Sequence, residues 1–177
     1  MKSDILKKRV GFFIILGVLL LIAVIVVIRF RSRVYQPIAF NHKVHVTDLG
    51  LDCSHCHTGV ETGPFATLPT AEICLACHST PLSKNPEEEK VRRYGEGKGG
   101  SPKGEIPWQR LTRLPDHVYF SHRRHVALGK VPCESCHGKM RERVVPPSRA
   151  PMELSMDDCL SCHRKQKASV DCVSCHR

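Results

Sequence analysis

Large apolar side chains are scarce everywhere except in one N-terminal run. From residue 34 to residue 177, Val, Ile, Leu and Phe make up only 28 of 144 residues, and the whole chain has a single Trp and three Tyr. Negative charge is also short, with 17 Asp and Glu against 27 Lys and Arg. Such a composition is that of a disordered chain. Its own side chains bury too little apolar area to offset the entropy lost on ordering. A length of 177 residues leaves room for one or two small domains and excludes a large enzyme. Either the region is unstructured, or something other than side chains supplies its core.

The ten cysteines decide between these. They fall into five Cys-x-x-Cys-His units: Cys53, Cys56 and His57; Cys74, Cys77 and His78; Cys133, Cys136 and His137; Cys159, Cys162 and His163; and Cys172, Cys175 and His176. This spacing is that of covalent c-type haem attachment. Two thiols add to the two vinyl groups of the macrocycle, and the adjacent histidine reaches the iron as proximal ligand. A zinc half-site or a redox disulfide also uses Cys-x-x-Cys, and a disulfide framework uses paired cysteines. Neither needs a histidine directly after every second cysteine. Five haems c amount to one rigid apolar plate for about every 29 residues, which resolves the missing core. The expected fold is a multihaem cytochrome c, mostly irregular, with short α-helices around a haem core and one N-terminal transmembrane helix.

The apolar run covers residues 10–28, free of charge and proline, with Lys2, Lys7, Lys8 and Arg9 before it and Arg29, Arg31 and Arg33 after it. Nineteen apolar residues match a bilayer core, and no small-residue cleavage site follows. An uncleaved signal anchor is expected, with residues 1–9 cytoplasmic. The basic flanks barely orient it. Haem attachment, which occurs outside the bacterial inner membrane, places the rest of the chain in the periplasm.

Two stretches align without gaps at a separation of 80 residues: FNHKVHVTDLGLDCSHCH from Phe40 and FSHRRHVALGKVPCESCH from Phe120. A second attachment unit follows each, led in by Thr70 or Ser155 as helix N-cap, with Glu72, Asp157 and Asp158 in the first turn. The expected organisation is a dihaem module over 34–83, a charged Gly- and Pro-rich surface linker over 84–107, and a trihaem module over 108–177. Trp108 reads equally well as an anchor for a partner protein or as a ring stacked on a haem.

Eleven histidines supply five proximal ligands and six spares. His55 lies inside a Cys-x-x-Cys loop tied by two thioethers and is excluded. His42, His45, His117, His122 and His125 then match five open axial positions. Four of them belong to the duplicated Phe-x-His-x-x-His motif, and His117 is the weakest. Methionine is the competitor, since a His/Met haem has a higher potential. Met156 stands first, and Met140 and Met152 are also available.

The pattern Phe-x-His-x-x-His…Cys-x-x-Cys-His resembles the small tri- and tetrahaem cytochromes of class III. That resemblance implies that His42 serves the haem at Cys53 and Cys56, and His122 the haem at Cys133 and Cys136, with His45 and His125 on neighbouring haems. The single anchor, the five units and the segments LPDHVYFSHRRHV from Leu114 and APMELSMDDCLSCHR from Ala150 resemble the pentahaem subunit of alternative complex III. This second resemblance implies integral membrane and peripheral partner subunits that oxidise quinol. It also implies a periplasmic cytochrome c or terminal oxidase as acceptor.

From the residues alone, one transmembrane helix cannot enclose a quinol site, and no acid–base constellation is evident. Six-coordinate iron leaves no open position for a substrate. The expected function is an electron-transfer subunit, not catalytic alone. Two alternatives stand beside it: an independent membrane-anchored quinol dehydrogenase, and a reductase with one open haem. About ten haem propionates offset much of the formal charge of +10, so nucleic-acid binding is not expected.

Overall fold

The computed structural model describes residues 2–31, 33–152 and 154–176. It divides into two compact units, residues 1–34 and 35–177. The first is α1 (Lys2–Arg31). Its stretch Gly11–Ile28 is long and apolar enough to cross a membrane, and its large side chains from Phe12 to Ile28 are exposed within the chain.

The second unit has no strand among the described residues, only an isolated antiparallel bridge between Val118 and His176. Its helices are short: α2 (Cys53–Cys56), α3 (Ala71–His78), α4 (Pro86–Gly95), α5 (Glu134–His137), α6 (Met156–Gln166) and α7 (Cys172–Cys175). Two π-helical turns, Lys43–Asp48 and Arg123–Leu128, precede α2 and α5.

Segment 84–107 differs from the expected surface linker. Asn85 caps α4 by accepting from Glu87 N at 3.0 Å, Pro86 takes the first helical position, and Glu87–Glu89 face the positive end of the helix dipole. Arg92 and Arg93 fill its last turn. Val91 and Tyr94 are buried with Ile38, Ala71 and Ile106 in the side-chain core of this unit, and Cys74, Leu75 and Trp108 pack against it. Gly95 lets the helices close, because a Cβ there would meet the Leu75 side chain. Trp108 is half-buried on this core, and its Nε1 donates to Pro69 O at 2.8 Å.

No comparable cluster occurs in residues 108–176; the described core residues all precede 107. Residues 35–177 form one compact unit.

Candidate functional site

The two π turns are copies in detail. Val44 O accepts from Leu49 N and Arg124 O from Gly129 N, both at 2.9 Å, five residues apart. Asn41 and Ser121 cap them alike, Asn41 Oδ1 accepting from Val44 N and Ser121 Oγ from Arg124 N. Phe40 touches His42 and His45, with ring centroids 4.8 and 4.4 Å away, and Phe120 touches His122 and His125 at 4.9 and 4.7 Å. Each turn therefore holds two imidazoles against one phenyl ring. His45 Nδ1 pairs with Asn41 O and His125 Nδ1 with Ser121 O, both at 2.9 Å. A donated Nδ1–H leaves Nε2 as the free lone pair.

Four of the five spare histidines face a histidine that ends an attachment unit. Ring centroids are 6.1 Å apart for His45 and His78, 6.4 Å for His122 and His137, 6.0 Å for His125 and His163, and 5.5 Å for His117 and His176. The fifth, His42, has His57 beside it: burial, then the neighbouring rings of His57 and His45 and the Arg143 guanidinium, lower its pKa to about 4. Desolvation of the His137 ring, then the nearby His122 and His57, lowers that group too, although the residue keeps an exposed edge. Both rings are neutral at neutral pH, the form that binds metal.

These spacings fit axial ligation. An imidazole nitrogen reaches a first-row metal at about 2 Å, and its ring centroid lies roughly 1 Å further back, so two rings sharing one ion stand about 6 Å apart. Among the described residues, no His, Cys, Asp and Glu cluster in groups of three or more suited to an ion. Histidine pairs beside thiol pairs suit a macrocycle that brings its own four equatorial ligands. His117, the weakest ligand from sequence, has the closest ring partner. Met156 begins α6 as an exposed side chain. His55 is exposed in the last turn of α2.

Hydrogen bonds orient the terminal histidines. His57 Nδ1 lies 2.7 Å from Thr67 O, and His163 Nδ1 lies 2.6 Å from Ser169 O. His78 differs: its Nδ1 is buried with no hydrogen-bond partner, and Glu88 Oε2 stands 3.7 Å from it. Hydrogen bonds from Ser83 Oγ and Leu82 N hold Glu88 down to about 2, so an anion stands behind this ring. Sequence reasoning missed Glu88 because it belongs to the supposed linker; the Asn-Pro-Glu-Glu-Glu helix start was the available signal.

No disulfide links any of the ten cysteines. Against the protein's own side chains, Cys77, Cys159, Cys162 and Cys172 are exposed and the other six are half-buried. Cys74 packs against the side-chain core from α3. Three residues on, at about 100° per residue, Cys77 is turned roughly 60° away from it around the same helix and stands exposed. Burial raises Cys53, Cys56, Cys136 and Cys159, and raises Cys74 to about 11. None of these five is tuned as a thiolate for exchange chemistry.

Residues 118–177 match the family model described as cytochrome c7 and related cytochrome c. The chain is 34% identical over 174 residues to the "Menaquinone reductase, multiheme cytochrome c subunit" of Nitratidesulfovibrio vulgaris strain Hildenborough. The alignment covers 82% of this chain and 79% of that protein.

Proposed function

The chain belongs to the multihaem cytochromes c, and from that premise we propose that it is a membrane-anchored pentahaem electron relay serving a quinone-reactive complex. The observation that carries this reading is the set of facing histidine pairs, one for each attachment unit when His42 and His57 are included. One haem c each is held by Cys53 with Cys56, Cys74 with Cys77, Cys133 with Cys136, Cys159 with Cys162, and Cys172 with Cys175. His57, His78, His137, His163 and His176 are the proximal ligands, and His42, His45, His122, His125 and His117 the respective distal ones. Haem c, when bound, supplies one-electron chemistry at a six-coordinate iron. The protein's part is to fix the imidazoles in the neutral form, to replace a side-chain core, and to hold the sites at the membrane through α1.

Mass spectrometry of the denatured mature protein tests the count, with five haem additions expected; fewer would overturn it. A low-spin spectrum without carbon monoxide binding is expected. A native high-spin, carbon-monoxide-reactive haem would favour the reductase reading instead. Met156→Leu leaves the spectrum and potentials unchanged if all five sites are bis-histidine.

The haem region lies on the periplasmic side, the partners are integral membrane and peripheral subunits, and a periplasmic cytochrome c or oxidase exchanges electrons with the relay. The resemblance to alternative complex III supports flow from quinol outward. The relative's name gives a specific reason for the opposite direction, from a periplasmic donor to menaquinone. Stopped-flow mixing of the purified complex separates the two. Rapid haem reduction by a menaquinol analogue supports outward flow, and rapid oxidation of donor-reduced haems by a menaquinone analogue supports inward flow.

A further inference from the structure

The repeats are offset by 80 residues, and so are hydrogen bonds that cross between them. Lys43 N donates to Arg143 O at 2.9 Å, and Arg123 N donates to Gly63 O at 3.1 Å. Lys43 and Arg123 are equivalent positions of the repeat, as are Gly63 and Arg143. Each π turn is thus held against the segment that follows the other repeat's first attachment unit. Thr47 Oγ1 donating to Arg141 O at 2.9 Å extends one side, and His122 N donating to Pro64 O at 3.0 Å extends the other. This is the reciprocal contact of a two-fold pair, i to j and j to i, made within one chain. At such an axis residues meet their own equivalents. Cys53 and Cys133 stand beside each other there, and His57 stands near His137.

Away from that centre, each π turn serves two units. The rings of His42 and His45 share Phe40 but neighbour His57 and His78, and those of His122 and His125 share Phe120 but face His137 and His163. The two units served by one turn are therefore adjacent, and Cys56 lies near Cys74 just as Cys136 lies near Cys159 and Cys162. At the C-terminal end Cys175 lies near Cys159, and Cys175 O accepts from Tyr119 N at 2.7 Å, two residues beyond His117.

We infer that the five attachment sites form one unbranched row in the spatial order Cys74/Cys77, Cys53/Cys56, Cys133/Cys136, Cys159/Cys162, Cys172/Cys175, centred on the two-fold contact between the repeats. Space and sequence thus disagree at the start: the second unit, not the first, is a terminus of the row. The inference rests on the relay reading and gives it two ends. One electron accepted from a reduced donor protein at one end is matched by one electron given to an oxidised acceptor at the other.

The test is proton NMR of the full-length holoprotein in detergent, fully reduced so that bis-histidine irons are diamagnetic. Labelling with 13C-cysteine assigns each haem through its thioether protons without any substitution. Through-space cross-peaks are expected between the haems of Cys53/Cys56 and Cys133/Cys136. None are expected between those of Cys74/Cys77 and Cys133/Cys136. The opposite pattern, following the sequence, overturns the order. The outcome is separable from the parent reading: five haems by mass with low-spin spectra and a sequential pattern would sink the order alone, whereas a wrong haem count would sink the relay. His45→Met gives a second readout. It raises the potential of an end haem, and through charge interaction shifts only the haem at Cys53/Cys56 among the remaining four.

Discussion

The two repeats begin alike and end differently. Their π turns, caps and Phe–His contacts superimpose position by position. After the second attachment unit they diverge. The first repeat continues into α4 and closes a small side-chain core around Ala71, Val91, Tyr94 and Ile106. The second continues through Ser169 to a further unit on α7 and, among the described residues, adds no buried member to that side-chain core. The difference teaches what stabilises each part. The first half has an apolar cluster of its own, and the second has mainly its haems and its backbone hydrogen bonds.

The largest effect that sharpens this contrast is loss of haem attachment. In chain produced without haem, limited proteolysis is expected to cut residues 108–176 well before residues 71–106. Equal cutting rates would show that α4 confers no independent order. Next in size is Tyr94→Ala. Tyr94 is 9% exposed in the core, and truncating a buried aromatic costs roughly 3 kcal/mol. Urea unfolding of the holoprotein should show that loss, while Val173→Ala, at an 83% exposed site of the other half, should leave the midpoint in place.

A third contrast concerns the anion behind His78. An ionised carboxylate near Nδ1 of an axial histidine raises its basicity and favours the oxidised iron. Glu88→Gln should therefore raise the potential of the haem at Cys74 and Cys77 and leave the haem at Cys159 and Cys162 unmoved, since His163 uses a backbone carbonyl. A spectroelectrochemical titration with no shifted component would end that assignment. The smallest effect compares the two helix starts. Ser155 makes a capping box with Asp158, whereas Thr70 makes no side-chain cap bond. Ser155→Ala should cost about 1 kcal/mol and Thr70→Ala much less, read as shifts of the unfolding midpoint.

Much of the site was legible in the chain because its chemistry is local. A Cys-x-x-Cys-His unit is complete within five residues, and an anchor within nineteen. The Phe-x-His-x-x-His motif also announced itself by repetition. Side-chain packing of the thiols was not legible: Cys74 packs on the cluster around Ala71, whose other members lie as far off as Ile38 and Ile106. Segment 84–107 was misjudged because its Gly, Pro and charge content outweighed a helix start that was there to be read: Asn85, Pro86 and three glutamates. Trp108 resisted for another reason, since its partners, Pro69 and the Ala71 cluster, lie some 40 residues away.

Residue type and short spacing are enough to specify the attachment units, the count of spare histidines, the repeat and the apolar run. Which histidines face each other depends on long-range folding. His117 meets His176 across 59 residues, and Lys43 reaches Arg143 across 100. Such pairings depend on how the chain closes its long loops. No local propensity encodes that closure; the reciprocal fit of the two repeats sets it.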